Sequence, residues 1–241
     1  MKQVSGNRIS GKTGGSIFGR FALFIILAAA GNAFSAMVPQ DYDGDGKTDL
    51  AVMRVNPDQS ITTYILRSRD GFKAITSPRY LETFGDFDGD GKTDLFSIND
   101  RSSSDQLFWT ITGSRDNSTT TVQWGLTNDD YLMPQDYDGD GKTDLAVYRD
   151  GGWWYIRNSS NGQLSAEKFG RGAGAGTSEI SDEPFAGGDY DGDGKADLAI
   201  LRRERMFPPG SPIPMTMYIR LSRDGTWAAY DLGNSQSTGV L

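Results

Sequence analysis

Asp41-Tyr42-Asp43-Gly44-Asp45-Gly46-Lys47-Thr48-Asp49, running straight into Leu50-Ala51-Val52-Met53, is the stretch from which the organisation of the chain can be read. The same nine-residue pattern returns at Asp86 to Asp94, Asp136 to Asp144 and Asp189 to Asp197, with starts 45, 50 and 53 residues apart. That period is too long for a leucine-rich or ankyrin unit and suits one four-stranded propeller blade of about 40 to 50 residues. After each loop comes an apolar run (Leu50 to Met53, Leu95 to Ile98, Leu145 to Tyr148, Leu198 to Leu201) and then an aromatic segment (Tyr64 to Leu66, Phe108 to Ile111, Trp153 to Ile156, Tyr218 to Arg220). The aromatic segments end in Asp70-Gly71, Asp116-Asn117, Asn161-Gly162 and Asp224-Gly225, which are hairpin-turn signals. A returning strand such as Thr121 to Trp124 or Glu167 to Gly170, and a short piece such as Tyr80-Leu81 or Tyr131 to Pro134, bring the count to four strands per unit. The expected fold is all-β: a β-propeller of four four-stranded blades over residues 37–241, as a closed four-bladed ring or a partial propeller, with repeats at about 37–84, 85–134, 135–187 and 188–241.

A tightly curled loop of this pattern turns alternate residues inward. It offers carboxylates from positions one, three, five and nine and a backbone carbonyl from position seven, and hard oxygen ligands of that number suit calcium. The expected ligands are Asp41, Asp43, Asp45 and Asp49 with the Lys47 carbonyl; Asp86, Asp88, Asp90 and Asp94 with Lys92; Asp136, Asp138, Asp140 and Asp144 with Lys142; and Asp189, Asp191, Asp193 and Asp197 with Lys195. About four calcium ions are expected, one per repeat. A single Asp-Gly stretch is explained equally well as a solvated turn. Four copies with Asp at the same four positions are not, because turn chemistry makes no such demand. The loops are not EF-hands: their twelfth positions are Val52, Ser97, Val147 and Ile200 rather than a bidentate Glu, and a strand follows instead of a helix.

The 241 residues carry 24 basic and 32 acidic side chains, a formal charge of −8, and half of the acids sit in the four loops. The acidity therefore reflects metal sites rather than a basic partner, and no Lys/Arg stripe suggests nucleic acid. The chain has no Cys and no His. That removes disulfides, His-ligated zinc and Ser-His or Cys-His nucleophiles. Lys2, Arg8, Lys12 and Arg20 precede the apolar run Phe21 to Ala30, which is too short to span a bilayer and reads as a signal peptide over residues 1–36. Ala33 and Ser35 occupy the small positions that a signal peptidase favours, so cleavage is expected beside Ala36.

With these residues quoted, the Asp loop followed by an apolar and an aromatic strand resembles the FG-GAP or VCBS-type repeats of integrin-like β-propellers. The likeness covers Met37 to Leu241, with echoes of the family's phrase at Phe84-Gly85, Phe169-Gly170 and, substituted, Trp124-Gly125. It implies calcium bound between the first and second strands of each blade, at the Asp sets already named. Four blades are fewer than the six to eight common in integrin-like relatives, so the ring closes small, stays open, or is completed by a second copy in a homodimer. The expected function is a secreted calcium-binding module, extracellular, at the cell surface or periplasmic, that binds carbohydrate or a surface protein and is not an enzyme. The alternatives are a calcium-dependent polysaccharide lyase or hydrolase and a purely structural envelope or matrix component.

Other features read less specifically. Trp109, Trp124, Trp153, Trp154 and Trp227 are either sugar-stacking platforms or, as with most aromatics of repeated strands, packing between blades. Strand alternation puts Trp153 and Trp154 on opposite faces. Gly170 to Gly176 lacks the spacing and strand-loop-helix context of a phosphate loop and reads as an inter-blade loop. Arg202 to Arg205 with the Pro-rich Phe207 to Pro214 reads as a hairpin loop in the fourth repeat.

Overall fold

The structure is a computed structural model that describes residues 40–57, 61–70, 73–77, 85–98, 106–127, 129–172, 182–185, 187–203 and 212–236. All of them belong to one unit of the chain, Phe34–Leu241. The signal peptide expected over residues 1–36, the Tyr80-Leu81 strand and Ala173 to Gly176 lie outside the described residues. Among the described residues there is no helix, and therefore none long and apolar enough to cross a membrane.

Among the described residues, fourteen strands form four antiparallel sheets. The first contains β1 (Leu50–Val55), β2 (Ile61–Arg67) and β3 (Lys73–Ser77), and the second contains β4 (Leu95–Ile98), β5 (Gln106–Thr112) and β6 (Thr119–Leu126). The third runs β10 (Leu164–Lys168), β9 (Trp153–Arg157), β8 (Leu145–Arg149), β7 (Asp130–Leu132). The fourth runs β11 (Glu183–Phe185), β12 (Leu198–Arg203), β13 (Pro212–Arg220), β14 (Trp227–Gln236). The predicted apolar run of each repeat is thus a strand, and the aromatic segment is its hairpin partner, with Val147 opposite Tyr155 and Ile200 opposite Tyr218.

Sequence unit and sheet are offset by one strand. Asp130–Leu132 closes the 85–134 repeat in sequence, yet β7 pairs with β8, with Leu132 opposite Val147. Likewise β11 pairs with β12. In the third and fourth sheets, each Asp loop therefore connects two neighbouring strands of one sheet.

A strand whose alternate side chains are all apolar has two apolar faces, and in β8 both are used. On the second sheet, Phe96, Leu107 and Trp109 pack against Leu132, Leu145 and Val147 of the third. On the third, Ala146, Tyr148, Trp154 and Ile156 pack against Leu198 and Ile200 of the fourth. The second and fourth residues of one sheet's leading strand thus meet the first and third of the next. Stacking of Phe96 on Trp109 at 5.2 Å and an edge contact of Tyr148 with Trp154 at 5.3 Å fill these layers. The indole N–H of Trp109 donates to the Trp124 carbonyl at 2.8 Å, and that of Trp154 to the Phe169 carbonyl at 2.9 Å. The aromatic-Gly phrase is thereby a fixed acceptor for a buried indole.

Part of the Pro-rich segment expected as a loop is strand. Pro212 and Pro214 lie in β13 opposite Gln236 and Asn234, whereas among the described residues the pairing with β12 runs only as far as Arg203 opposite Met215. Prolines are tolerated there because, among the described residues, this end of β13 is paired with β14 alone and carries a bulge between Pro214 and Thr216. Arg202 and Arg203 belong to β12, where Arg202 forms a bidentate pair with buried Asp182 and Arg203 pairs with Glu183.

Candidate functional site

The first Asp of each loop is the peg around which the backbone curls. Asp86 accepts the N–H groups of Gly89 at 2.6 Å and Asp90 at 3.2 Å on one oxygen, and that of Gly91 at 2.7 Å on the other. Asp41, Asp136 and Asp189 do the same in their loops. The curl needs positive φ at the fourth and sixth positions, as at Gly44 (74°) and Gly46 (80°). Gly44 has a second reason to be glycine: a β-carbon there would fall 2.7 Å from Cε of Lys92, whose stem lies across it.

The ninth-position Asp ties the loop to the hairpin turn of the same sheet. One oxygen of Asp144 accepts the Tyr137 N–H at 2.8 Å, and the other accepts the Ser159 N–H at 2.7 Å. Asp49, Asp94 and Asp197 bind Tyr42, Phe87 and Tyr190 on one side and Ser68, Ser114 and Ser222 on the other. The hydroxyl of that same serine donates to the fifth-position carboxylate: Ser68 to Asp45, Ser114 to Asp90, Ser159 to Asp140 and Ser222 to Asp193, at 2.8 to 2.9 Å. The closing dipeptides signal the turns but not these serines. Their signal is a Ser two residues before each turn Asp or Asn, in Ser68-Arg69-Asp70-Gly71, Ser114-Arg115-Asp116-Asn117, Ser159-Ser160-Asn161-Gly162 and Ser222-Arg223-Asp224-Gly225.

All four loops gather carboxylates. Asp86, Asp88, Asp90 and Asp94 each offer an oxygen within 4.8 Å of the others; the other groups are Asp41, Asp43 and Asp45; Asp136, Asp138 and Asp144; and Asp189, Asp191 and Asp197. Oxygens on opposite sides of a calcium ion, each about 2.3 to 2.6 Å from it, stand about 5 Å apart, so such groups fit one ion. Of the predicted ligands, Asp49, Asp140 and Asp193 fall outside these close groups, each engaged by the hairpin serine of its sheet. Lys47, Lys92, Lys142 and Lys195 enter the loops through the backbone, each N–H donating to the fifth-position carboxylate.

The electrostatics favour a cation. Burial raises the carboxyls of Asp86, Asp94, Asp136, Asp144 and Asp197 above the ordinary range, and neighbouring carboxylates push the same way against the stabilising backbone N–H groups. In the first loop, the hydroxyl of Ser68 holds Asp45 below that range. Oδ2 of Asp191, on a side chain only 9% exposed, has no hydrogen-bond partner, although a buried carboxylate oxygen ordinarily finds one. A hard cation supplies such a partner.

The five tryptophans separate by face. Trp109 and Trp154 are buried, Trp124 is half-buried against the core, and Trp153 and Trp227 are exposed. Trp153 lies nearly parallel to Tyr155 with ring centres 6.4 Å apart, and the Lys168 ammonium stands over its ring at 5.7 Å.

In comparison with known families, residues 136–200 match an FG-GAP-like repeat. The match spans the third Asp loop, the hairpin of the third sheet, the fourth Asp loop and the start of β12. No curated protein and no solved structure matches the chain significantly.

Proposed function

We propose that this chain, an FG-GAP-like repeat protein, is an exported β-propeller-type module whose Asp loops bind calcium, and that it serves to bind carbohydrate or a surface protein rather than to catalyse. The observation that carries the reading is the fourfold set of carboxylates whose oxygens converge within 4.8 Å, including one buried oxygen with no partner. In each loop, two or three Asp side chains would be held ready by backbone N–H groups, and the hairpin serine would fix the loop against its sheet. A bound cation would offset the mutual repulsion and buried charge of the carboxylates. At sites with dissociation constants of about 10⁻⁴ to 10⁻³ M, millimolar calcium would stabilise folding by about 0.4 to 1.4 kcal/mol per site, or about 2 to 6 kcal/mol for four.

A loop scaffold with exposed aromatic side chains supports the adhesion-type reading. Trp153, backed by Tyr155, would offer a flat face to a sugar ring once the Lys168 ammonium that stands over that ring swings aside.

Thermal unfolding in EDTA and across a calcium titration tests the metal reading, with an Asp86→Ala, Asp136→Ala, Asp189→Ala variant as control. The expected result is a calcium-dependent rise in melting temperature that the variant loses in large part; no response to EDTA would remove the reading. Screening the calcium-loaded chain against glycans, with Trp153→Ala as control, tests the binding role. Release of unsaturated or reducing sugar ends would instead make the chain a polysaccharide-active enzyme.

A further inference from the structure

Successive Asp loops are joined by a latch that repeats down the chain. The eighth-position N–H of one loop donates to the first-position carbonyl of the loop before it: Thr93 to Asp41, Thr143 to Asp86 and Ala196 to Asp136, each at 2.7 Å. The seventh-position Lys of the later loop lays its stem over the fourth-position Gly of the earlier one, Lys92 on Gly44, Lys142 on Gly89 and Lys195 on Gly139. Beneath two of these latches lie the apolar layers between second and third and between third and fourth sheets. Four loops thus make three latches, and the two outermost halves are left over.

Those halves are open and complementary. In the first loop, Thr48 is exposed and Lys47 turns back onto its own Asp45 at 3.1 Å. Below it, Leu50 and Val52 are half-exposed at the positions where Leu145 and Val147 are buried against the sheet before them. In the fourth loop, Asp189 and Gly192 are exposed, and nothing lies within 4 Å of where a β-carbon on Gly192 would sit. Below that loop, Tyr230 and Leu232 of β14 are half-exposed; Tyr230 pairs with Met217, just as Val122 pairs with Trp109 in the layer between the second and third sheets.

We propose that the chain associates head to tail with a second copy of itself, the first sheet of one copy docking on the fourth sheet of the other in the register of the internal interfaces. The Thr48 N–H then meets the partner's Asp189 carbonyl, Lys47 crosses the partner's Gly192, and Leu50 and Val52 are buried. Such an interface is heterologous, so it leaves one complementary face open at each end of a pair unless the ring closes.

Sedimentation equilibrium of the full chain in calcium, over a series of protein concentrations, tests this. The expected result is an average mass that climbs from monomer to at least dimer. A Leu50→Asp, Val52→Asp variant and a Tyr230→Asp, Leu232→Asp variant each lose self-association by at least about 100-fold, because a carboxylate would be buried without a partner. Mixed together, the two variants form a one-to-one complex and nothing larger, since each retains the face that the other lacks. A wild-type chain that stays monomeric throughout overturns the proposal whatever the variants do, as intramolecular closure or coverage by another segment would produce. So does a mixture of folded variants that fails to associate.

Discussion

The stretch Pro39 to Val52 and the stretch Pro134 to Val147 are the same fourteen residues, Pro-Gln-Asp-Tyr-Asp-Gly-Asp-Gly-Lys-Thr-Asp-Leu-Ala-Val. Locally they do the same thing: the peg Asp, the tie to the hairpin serine and the strand that follows are common to both. Yet Leu50 and Val52 are 53% and 46% exposed, while Leu145 and Val147 are 8% and 0%. The fifth strand position differs as well. Arg149 forms a bidentate pair with fully buried Asp130, whereas Arg54 at the same register is exposed. Identical sequence therefore encodes the loop and the strand but not their burial, because burial is set by whichever sheet lies in front. The hydrophobic effect acts on area removed from water, and that area belongs to a pair of surfaces.

The sharpest way to break this comparison is one substitution made in both copies. Val147→Asp places a carboxylate in a dry layer and is expected to cost more than about 4 kcal/mol, whereas Val52→Asp in dilute monomer stays within about 0.5 kcal/mol. Urea unfolding of the two variants decides it, and equal losses would mean that the first sheet has a buried partner after all. The adjacent tryptophans give the next largest contrast. Trp154→Ala removes a buried ring and its hydrogen bond to the Phe169 carbonyl, for about 3 to 5 kcal/mol, while Trp153→Ala leaves stability within about 1 kcal/mol. Chemical denaturation read by far-UV circular dichroism separates them.

Smaller effects concern the loops. Ser159→Ala deletes a hydroxyl that Asp140 accepts and is expected to cost about 1 kcal/mol, as is Ser68→Ala at Asp45; unequal losses would show that the outer loop is held differently from the inner one.

In metal-free protein, carboxyl NMR titration should place Asp136 and Asp144 above the ordinary carboxylate range and Asp45 below it. A carboxyl raised by folding destabilises the fold above its unfolded value, and the penalty lifts as pH falls through the raised one. Melting temperature in chelator should therefore rise as pH drops from neutral towards about 4, the unfolded carboxylate value. The stability contributed by lowered Asp45 is lost only below that value, so the two windows do not overlap. With calcium bound the slope should reverse, since protons then compete with the ion; a falling melting temperature in chelator as well would contradict the buried-carboxylate account.

Much of the molecule follows from residue spacing alone. The four Asp sets, the positive-φ glycines and the pairing of apolar run with aromatic segment are local: each depends on hydrogen bonds and side-chain alternation within some thirty residues, and the sequence repeats them four times. The sequence also contains the serine that clamps each loop, but serine is common in turns and only its fourfold register marks it. Tertiary structure alone decided the rest. Which strand Asp130–Leu132 joins was settled by the reach of the Asp loop back to β8 rather than by its place at the end of a repeat. Trp154 rather than Trp153 is buried because the fourth sheet covers that face of β9. Leu145 is core and Leu50 is surface because, among the described residues, only Leu145 has a sheet packed in front of it, and no property of fourteen identical residues can supply that neighbour.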